Sequence, residues 1–251
     1  MPRLISDLSN IPVRIGTAGW NVHRDSVSQF SAEGSHLHRY SSVLGACEIN
    51  SSFYRPHKPQ TWARWADSVP EGFRFAVKAP KAITHEARLD GEPDMLSTFL
   101  DQISHLREKL GPVLFQLPPS LAFDEFVARR FLDRLRERHT AAVVWEPRHP
   151  TWFDPAADDL MKEFKVSRVA ADPACVPSAK EPAGDERLAY FRLHGSPRMY
   201  FSSYDEGYLN GLALQIGKLR KEREVWCVFD NTGGGSATQN ALQLMKKIES
   251  K

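Results

Sequence analysis

Residues 142–153 read AVVWEPRHPTWF. Ala142 to Trp145 is a short apolar run rich in β-branched and aromatic side chains, which predicts a buried strand. The run stops at Glu146, and Arg148, His149 and Trp152 follow on a loop stiffened by Pro147 and Pro150. Core packing does not call for an acid, a fixed cation, an imidazole and an aromatic plate within seven residues of a strand's C-terminal end. The fold and the site both turn on whether other strands in the chain end the same way.

Working outward, comparable runs over 13–17, 46–50, 73–79, 113–115, 167–171, 188–193 and 225–229 predict seven more strands. Segments of helical period separate them. Residues 94–110 form the clearest, with Met95, Leu96, Phe99, Leu100, Ile103, Leu106 and Leu110 on one face, Asp94 placed to cap the start and Gly111 to end it. Further helices are expected over 36–44, from Pro59 onward, and over 124–139, 156–164 and 205–221, with a last one capped by Ser236 and running to 248. Residues 174–187, rich in Pro, Ala and charge, predict a loop with little helix between strands six and seven. Strand–helix alternation implies parallel pairing. Eight such strands in 251 residues predict an α/β fold with a single (β/α)8 barrel over 13–251 after a tail of residues 1–12. An open doubly wound sheet is the alternative.

The bulk composition narrows the class of function. With 33 basic and 31 acidic residues, no overall basic drive toward nucleic acid or a membrane surface exists. Cys47, Cys175 and Cys227 are far apart and form no CxxC pair, so neither a zinc site nor a disulfide framework is indicated, and a reducing cytoplasm is the expected compartment. Residues 1–12 lack the apolar centre of a signal peptide, and no apolar run reaches membrane-spanning length. Walker loops, dinucleotide fingerprints and HExxH are absent, and Ser51-Ser52 lacks the glycines of a nucleophile elbow.

A barrel gathers its C-terminal strand ends on one rim, where active sites sit. Here the ends offer Thr17, Glu48 with Asn50, Lys78, Gln116, Glu146, Asp172, Arg192 with His194, and Asp230 with Asn231. The carboxylates suit general acid–base work, or else salt bridges with Lys78, Arg148 or Arg192. A desolvated Lys78 would serve as a Schiff-base nucleophile, although such a lysine is more often a counter-ion. His149 suits either a ligand role or loop ordering, and His85 lies further from the rim. Gly233-Gly234-Gly235 ahead of a helix suits either an anion cradle or a plain turn. Trp20, Phe53, Tyr54, Trp152 and Tyr200 on rim loops suit either stacking on a substrate or covering the barrel mouth.

These stretches resemble the YecE-like family, known as domain of unknown function 72. The resemblance is carried by IGTAGW (15–20), EINSSFYRP (48–56), PEGFRFAVKAPKAITH (70–85), GPVLFQLPPSL (111–121), VVWEPRHPTWF (143–153), AADP (170–173), YFRLHG (190–195) and VFDNTGGGSATQNALQL (228–244). It implies a TIM barrel and no assigned activity. Two positions depart from the family pattern. The loop after Trp20 reads NVHRDSVSQFSAEGS without a second Trp or Tyr cluster, and Pro147 follows the strand-five acid, which raises the question of where Arg148 points.

The resulting expectation is an enzyme that applies acid–base chemistry to a small or nucleotide-like anionic substrate without an organic cofactor. Glu48, Glu146, Asp172 and His194 are the catalytic candidates, with Glu48 and Glu146 as the acid–base pair. Asn50, Tyr54, Lys78, Gln116, Arg148, His149, Arg192, Asn231 and Trp20 are the binding candidates. The alternatives are a divalent-metal isomerase or phosphoesterase, with Glu48, Glu146, Asp172, Asp230 and His194 as ligands, and a non-catalytic ligand-binding barrel. Nucleic acid and membrane are not expected partners, and the oligomeric state is left open.

Overall fold

The computed structural model describes residues 11–250, so the expected tail 1–12 lies almost wholly outside it. In chain order the first half runs β1 (Val13–Ala18), α1 (His36–Ser41), β2 (Ala46–Ile49), α2 (Ser51–Tyr54), α3 (Pro59–Asp67), β3 (Arg74–Lys78), α4 (Pro93–Ser104), β4 (Leu110–Gln116) and α5 (Glu125–Arg138). The second half runs β5 (Val143–Glu146), α6 (Pro155–Glu163), β6 (Val166–Arg168), β7 (Ala170–Asp172), β8 (Ala183–Gly184), β9 (Leu188–Leu193), α7 (Glu206–Leu219), β10 (Glu224–Phe229) and α8 (Ser236–Glu249). The first five strands pair in sequence and in parallel, and β10 lies between β1 and β9, also in parallel. This is the expected TIM-type barrel.

The expected sixth strand is one bent segment in two pieces. β6 pairs with β5, β7 pairs with β9, and Val169 between them donates its amide to the Trp145 carbonyl at 2.9 Å. The segment thus hands its ladder from one neighbour to the other and closes the ring. β8 adds two residues antiparallel to β6. Residues 174–187 contain a short 3-10 turn, Pro177–Lys180, and no α-helix, as their composition predicts.

Two element ends differ from expectation. The helix over 94–110 stops at Ser104, and Arg107 turns through φ 53° before β4 begins at Leu110. Gly111 is therefore inside a strand. It is needed there because a Cβ would stand 2.7 Å from the Trp226 ring and 3.0 Å from the Phe75 carbonyl oxygen. Ser236 opens α8 but does not cap it; Gly235, at φ 81°, holds the cap position.

Strand residues alternate between two cores. Phe73, Phe75 and Val77 face the helix layer, whereas Ala76 joins Ala46, Leu114, Val144, Tyr190, Trp226 and Val228 inside the barrel. Two residues further along each strand, the same inward parity reaches Glu48, Lys78, Gln116, Glu146, Arg192 and Asp230. The middle of the barrel is apolar, and its C-terminal end is ionic.

β1 and β2 meet closely at Gly16, where a Cβ would lie 2.0 Å from the Ala46 carbonyl oxygen, an atom of fixed backbone. Gly16→Ala is expected to cost at least roughly 2 kcal/mol by overpacking. Gly45→Ala, which meets nothing within 4 Å, serves as the control. Urea midpoints that fall equally in both variants would contradict the close approach.

Candidate functional site

The site begins with Arg192, carried inward by β9 and 1% exposed. Its guanidinium is shared by three carboxylates. Nε donates to both Glu48 oxygens at 3.0 and 3.1 Å, Nη2 donates to Glu48 Oε1 at 2.7 Å, and Nη1 donates to Glu146 Oε2 at 3.0 Å. Asp230 Oδ2 lies 3.0 Å from Nη2. Glu48 is closed from its other side by the Tyr190 hydroxyl, which donates to Oε2 at 2.8 Å. Asn50 completes the shell, its amide nitrogen 2.8 Å from Glu48 Oε1 and its oxygen 3.3 Å from Arg192 Nη2.

His194 lies two residues beyond Arg192 on the same face and is fully buried. Its Nδ1 stands 3.0 Å from Asp230 Oδ2, and its Nε2 stands 2.9 Å from Glu146 Oε1. A carboxylate can only accept, so Nδ1 carries hydrogen. Nε2 also lies 2.6 Å from Arg148 Nη2. Protonated, Nε2 donates to Glu146; unprotonated, it accepts from Arg148. Both forms of the ring are served by groups already in place, and Glu146–His194–Asp230 forms a continuous path for a proton. Arg148 also donates to Glu146 Oε1, so Pro147 does not turn it away from the rim.

Lys78 stands apart from this network. Its Nζ lies 4.0 Å from the centroid of the Phe53 ring, on α2. Among the described residues no carboxylate forms an ion pair with it, and it makes no side-chain hydrogen bond. It is 8% exposed. His85, on a π-helical turn at Ala82–Glu86, stacks its edge on the same Phe53 ring at 5.0 Å.

A model for the protein of unknown function DUF72 matches residues 14–251. The chain belongs to the DUF72 family. It is 24% identical to the UPF0759 protein YunF of Bacillus subtilis over 94% of this chain and 95% of that one. It is 30% identical to YecE of Escherichia coli K12 over 57% of this chain and 54% of YecE. A DUF72 structure from Thermotoga maritima, 25% identical, superposes with a TM-score of 0.79 over 94% of this chain and 99% of that one. One from Enterococcus faecalis, also 25% identical, gives 0.78 over 96% and 98%.

In this DUF72 chain the other expected site residues do not join the cluster. Ala171 takes the inward position on β7, so Asp172 points outward, where Tyr204 donates to its Oδ1 at 3.3 Å. Asp172 lines a separate cleft of about 330 Å³ beside α7, with Tyr208 and Lys180. Asn231 is buried and ties Ser202 to Asn240 through its Nδ2. Thr17 bonds Tyr40 on α1. His149 caps the 3-10 turn that follows it, accepting from the Thr151 amide at 3.3 Å. Trp20 packs edge-on against Trp65, and Tyr54 is 73% exposed on the outside of α2. Gln116 is at the rim beside Glu146 in register and makes no side-chain hydrogen bond among the described residues. The Gly233 amide is taken by the Tyr200 carbonyl at 2.8 Å, and a Cβ on Gly235 would strike His23 at 2.3 Å, so this glycine run packs against neighbouring loops. The sequence reading missed Tyr190. It lies two residues before Arg192 and four before His194, so strand period alone places all three on one face.

The electrostatics divide the cluster. Burial by itself would raise the Glu146 carboxyl, but Arg148, Arg192 and His194 overcome this and hold it well below the usual range. Asp230 is likewise lowered: burial opposes ionisation, and Arg192, His194 and Lys78 outweigh it. Lys78 moves the other way. Burial and the Arg192 charge pull its ammonium down to about 8 against the attraction of Glu146, Glu48 and Asp230.

Opposite pH dependences follow from these shifts. Glu146 and Asp230, with ordinary values of 4.5 and 3.8, bind protons less readily in the folded chain than in the unfolded one. Their stabilisation is complete above about pH 5 and lost as pH falls through the folded values. Denaturant melts between pH 6 and pH 3 are expected to show this loss; Glu146→Gln should flatten it, and an unchanged slope would refute the assignment. Lys78 falls from 10.5 to about 8, so the unfolded chain holds the extra proton between those values. Folding is penalised below pH 8, and the penalty disappears by about pH 10.5. Lys78→Met is therefore expected to stabilise the protein at pH 7 by up to roughly 3 kcal/mol. A lower melting temperature than wild type at that pH would contradict it.

Proposed function

We propose that the barrel mouth binds a small negatively charged substrate, simple or nucleotide-like, and moves protons on it without an organic cofactor. The observation that supports this best is the uneven sharing of charge. Glu48, Glu146 and Asp230 are all turned onto Arg192, Arg148 or His194, and Lys78 is left without a carboxylate partner among the described residues. A cation in an apolar seat and short of a counter-ion favours an anionic ligand, because desolvation strengthens the attraction.

In this reading Lys78 and the accessible edge of Arg148 hold the substrate's charge. Gln116 and Asn50 offer amides at the same level. Glu146 and His194 pass a proton, and Asp230 orients the imidazole. Glu48 and Arg192 act as positioning groups, since both Glu48 oxygens are held by Arg192, Tyr190 and Asn50 and neither oxygen meets an imidazole that could relay a proton. The pair in the best position for acid–base work is therefore Glu146 with His194, rather than Glu146 with Glu48.

A divalent metal draws less support from these side chains. Among the described residues no three His, Cys, Asp or Glu groups are placed to hold an ion. The three rim carboxylates face guanidinium groups, and Asp172 points elsewhere. No described helix is long and apolar enough to cross a membrane.

Metabolites that copurify with the full chain, identified by mass spectrometry, would reveal the substrate class. Small anions are expected with the wild type and are expected to be lost with Lys78→Met. Against a substrate found this way, Glu146→Gln should retain binding and lose roughly 100- to 10,000-fold in turnover. Full activity in Glu146→Gln would sink the acid–base reading, and an anion bound but never turned over would favour a non-catalytic binding barrel.

A further inference from the structure

We infer that Lys78 is a nucleophile that captures the carbonyl carbon of a small anionic aldehyde or ketone as an imine. The inference rests on the proposed anion-binding mouth and adds to it the reactive group that the substrate would carry: the ammonium form of Lys78 draws the anion in, and the free-amine form reacts while Arg148 holds the charge.

The commoner use of a lysine at this position is to neutralise a carboxylate. The geometry argues against that use here. Three carboxylates are within the same barrel end, yet among the described residues none pairs with Nζ. The neutralising work is done by guanidinium groups: Arg192 serves Glu48, Glu146 and Asp230, and Arg148 serves Glu146. For holding charge alone a third arginine would serve, with stronger bidentate contacts. A lysine differs in having a lone pair once it loses its proton, which a guanidinium does not provide in water near neutral pH.

The local structure keeps that lone pair available. Lys78 is the last residue of β3, and its carbonyl accepts a 2.6 Å hydrogen bond from Ser52 Oγ, which fixes the strand end to α2. The Phe53 ring supplies an apolar seat with no hydrogen-bond acceptor for Nζ, and the attraction of its face for the ammonium is outweighed by burial. The groups acting on the ammonium are Arg192, which opposes the proton, and Glu146, Glu48 and Asp230, which favour it; burial is the largest influence and brings the balance to about 8. His85, which shares the Phe53 ring, is itself lowered by burial and by Lys78. About a tenth of the amine is therefore neutral at pH 7, against well under a thousandth for an ordinary lysine.

The step balances without an outside reagent. The amine lone pair adds to the carbonyl carbon as the carbon–oxygen π bond breaks, and the oxygen takes up a proton. The resulting hydroxyl leaves as water with a second proton, and nitrogen gives up the two protons it carried. Amine plus carbonyl compound becomes imine plus water. Glu146, His194 and Asp230 supply a path for the transient proton movements. The imine then draws electrons from the adjacent carbon, so that proton removal there becomes accessible to the same acid–base groups.

Reductive trapping tests this directly. The full chain would be incubated with sodium cyanoborohydride and either pyruvate or glyoxylate, digested and mapped by mass spectrometry. A reduced adduct is expected at Lys78, formed on the order of tenfold faster than at the other lysines once the lower nucleophilicity of a weaker base is allowed for. Its rate should reach half its maximum near pH 8 and disappear in Lys78→Arg, which keeps the positive charge. Labelling at Lys78 no faster than at surface lysines would overturn the inference. Calorimetric titration with the same two acids, without reductant, separates the two levels: binding that requires Lys78 but yields no adduct refutes the imine and leaves the anion-binding reading intact.

Discussion

One guanidinium holds the barrel's ionic end together. Arg192 comes from β9 and binds carboxylates delivered by β2, β5 and the residue that follows β10. Those strands are not all neighbours, so the contact specifies how far each strand has slid along the ring, in addition to which strands pair. Such a network is a poor way to gain stability, because desolvating the charges consumes much of their attraction. Breaking it is another matter, since a single missing partner leaves a buried charge, at a cost of about 3–5 kcal/mol. Tyr190 and Asn50 fit that constraint, as each satisfies a Glu48 oxygen that Arg192 alone would leave incompletely bonded.

The same constraint grades the rim groups by how fully each is bonded. Arg192 and Glu48 are saturated and enclosed. Glu146, His194 and Asp230 are bonded but able to exchange a proton along the chain they form. Lys78 has neither a partner carboxylate among the described residues nor full hydration. A gradient of satisfaction runs from the barrel interior to its mouth, and groups nearest the mouth are those a ligand would complete. Preorganised charge of this kind is more effective than charge that must reorient when the ligand arrives.

The fold was legible in the sequence because short apolar runs, each stopped by a polar residue, alternate with helical patterns. The contents of the site were legible in part. Glu48, Lys78, Glu146, Arg192 and His194 were singled out as strand-end residues, and they do converge. Asp172 and Asn231 were singled out by the same rule and do not, because one residue of displacement along a strand reverses the face. Parity separates Ala171 from Asp172, and it also brings in Tyr190. Two other features depend on tertiary contact that no local pattern carries. Gly111 ends no helix because the Trp226 ring from the far side of the barrel occupies the space where its side chain would be. The division of β6 from β7 depends on which neighbour each half meets, and the run SRVAA has no signal for that.

That division leaves the barrel with a seam. A ring of strands normally has no exposed edge, but a ladder that changes partner at Val169 leaves backbone groups of β6 facing away from β9. Unpaired edges invite association with other chains. Here the two residues of β8 lie antiparallel along β6, with Gly184 at φ 71° so close that a Cβ would stand 2.3 Å from the Val166 carbonyl oxygen. The Asp185 amide extends this cover by donating to the same carbonyl at 2.8 Å. The segment after β7, which carries no helix, thus covers the β6 edge that would otherwise be open to intermolecular strand pairing.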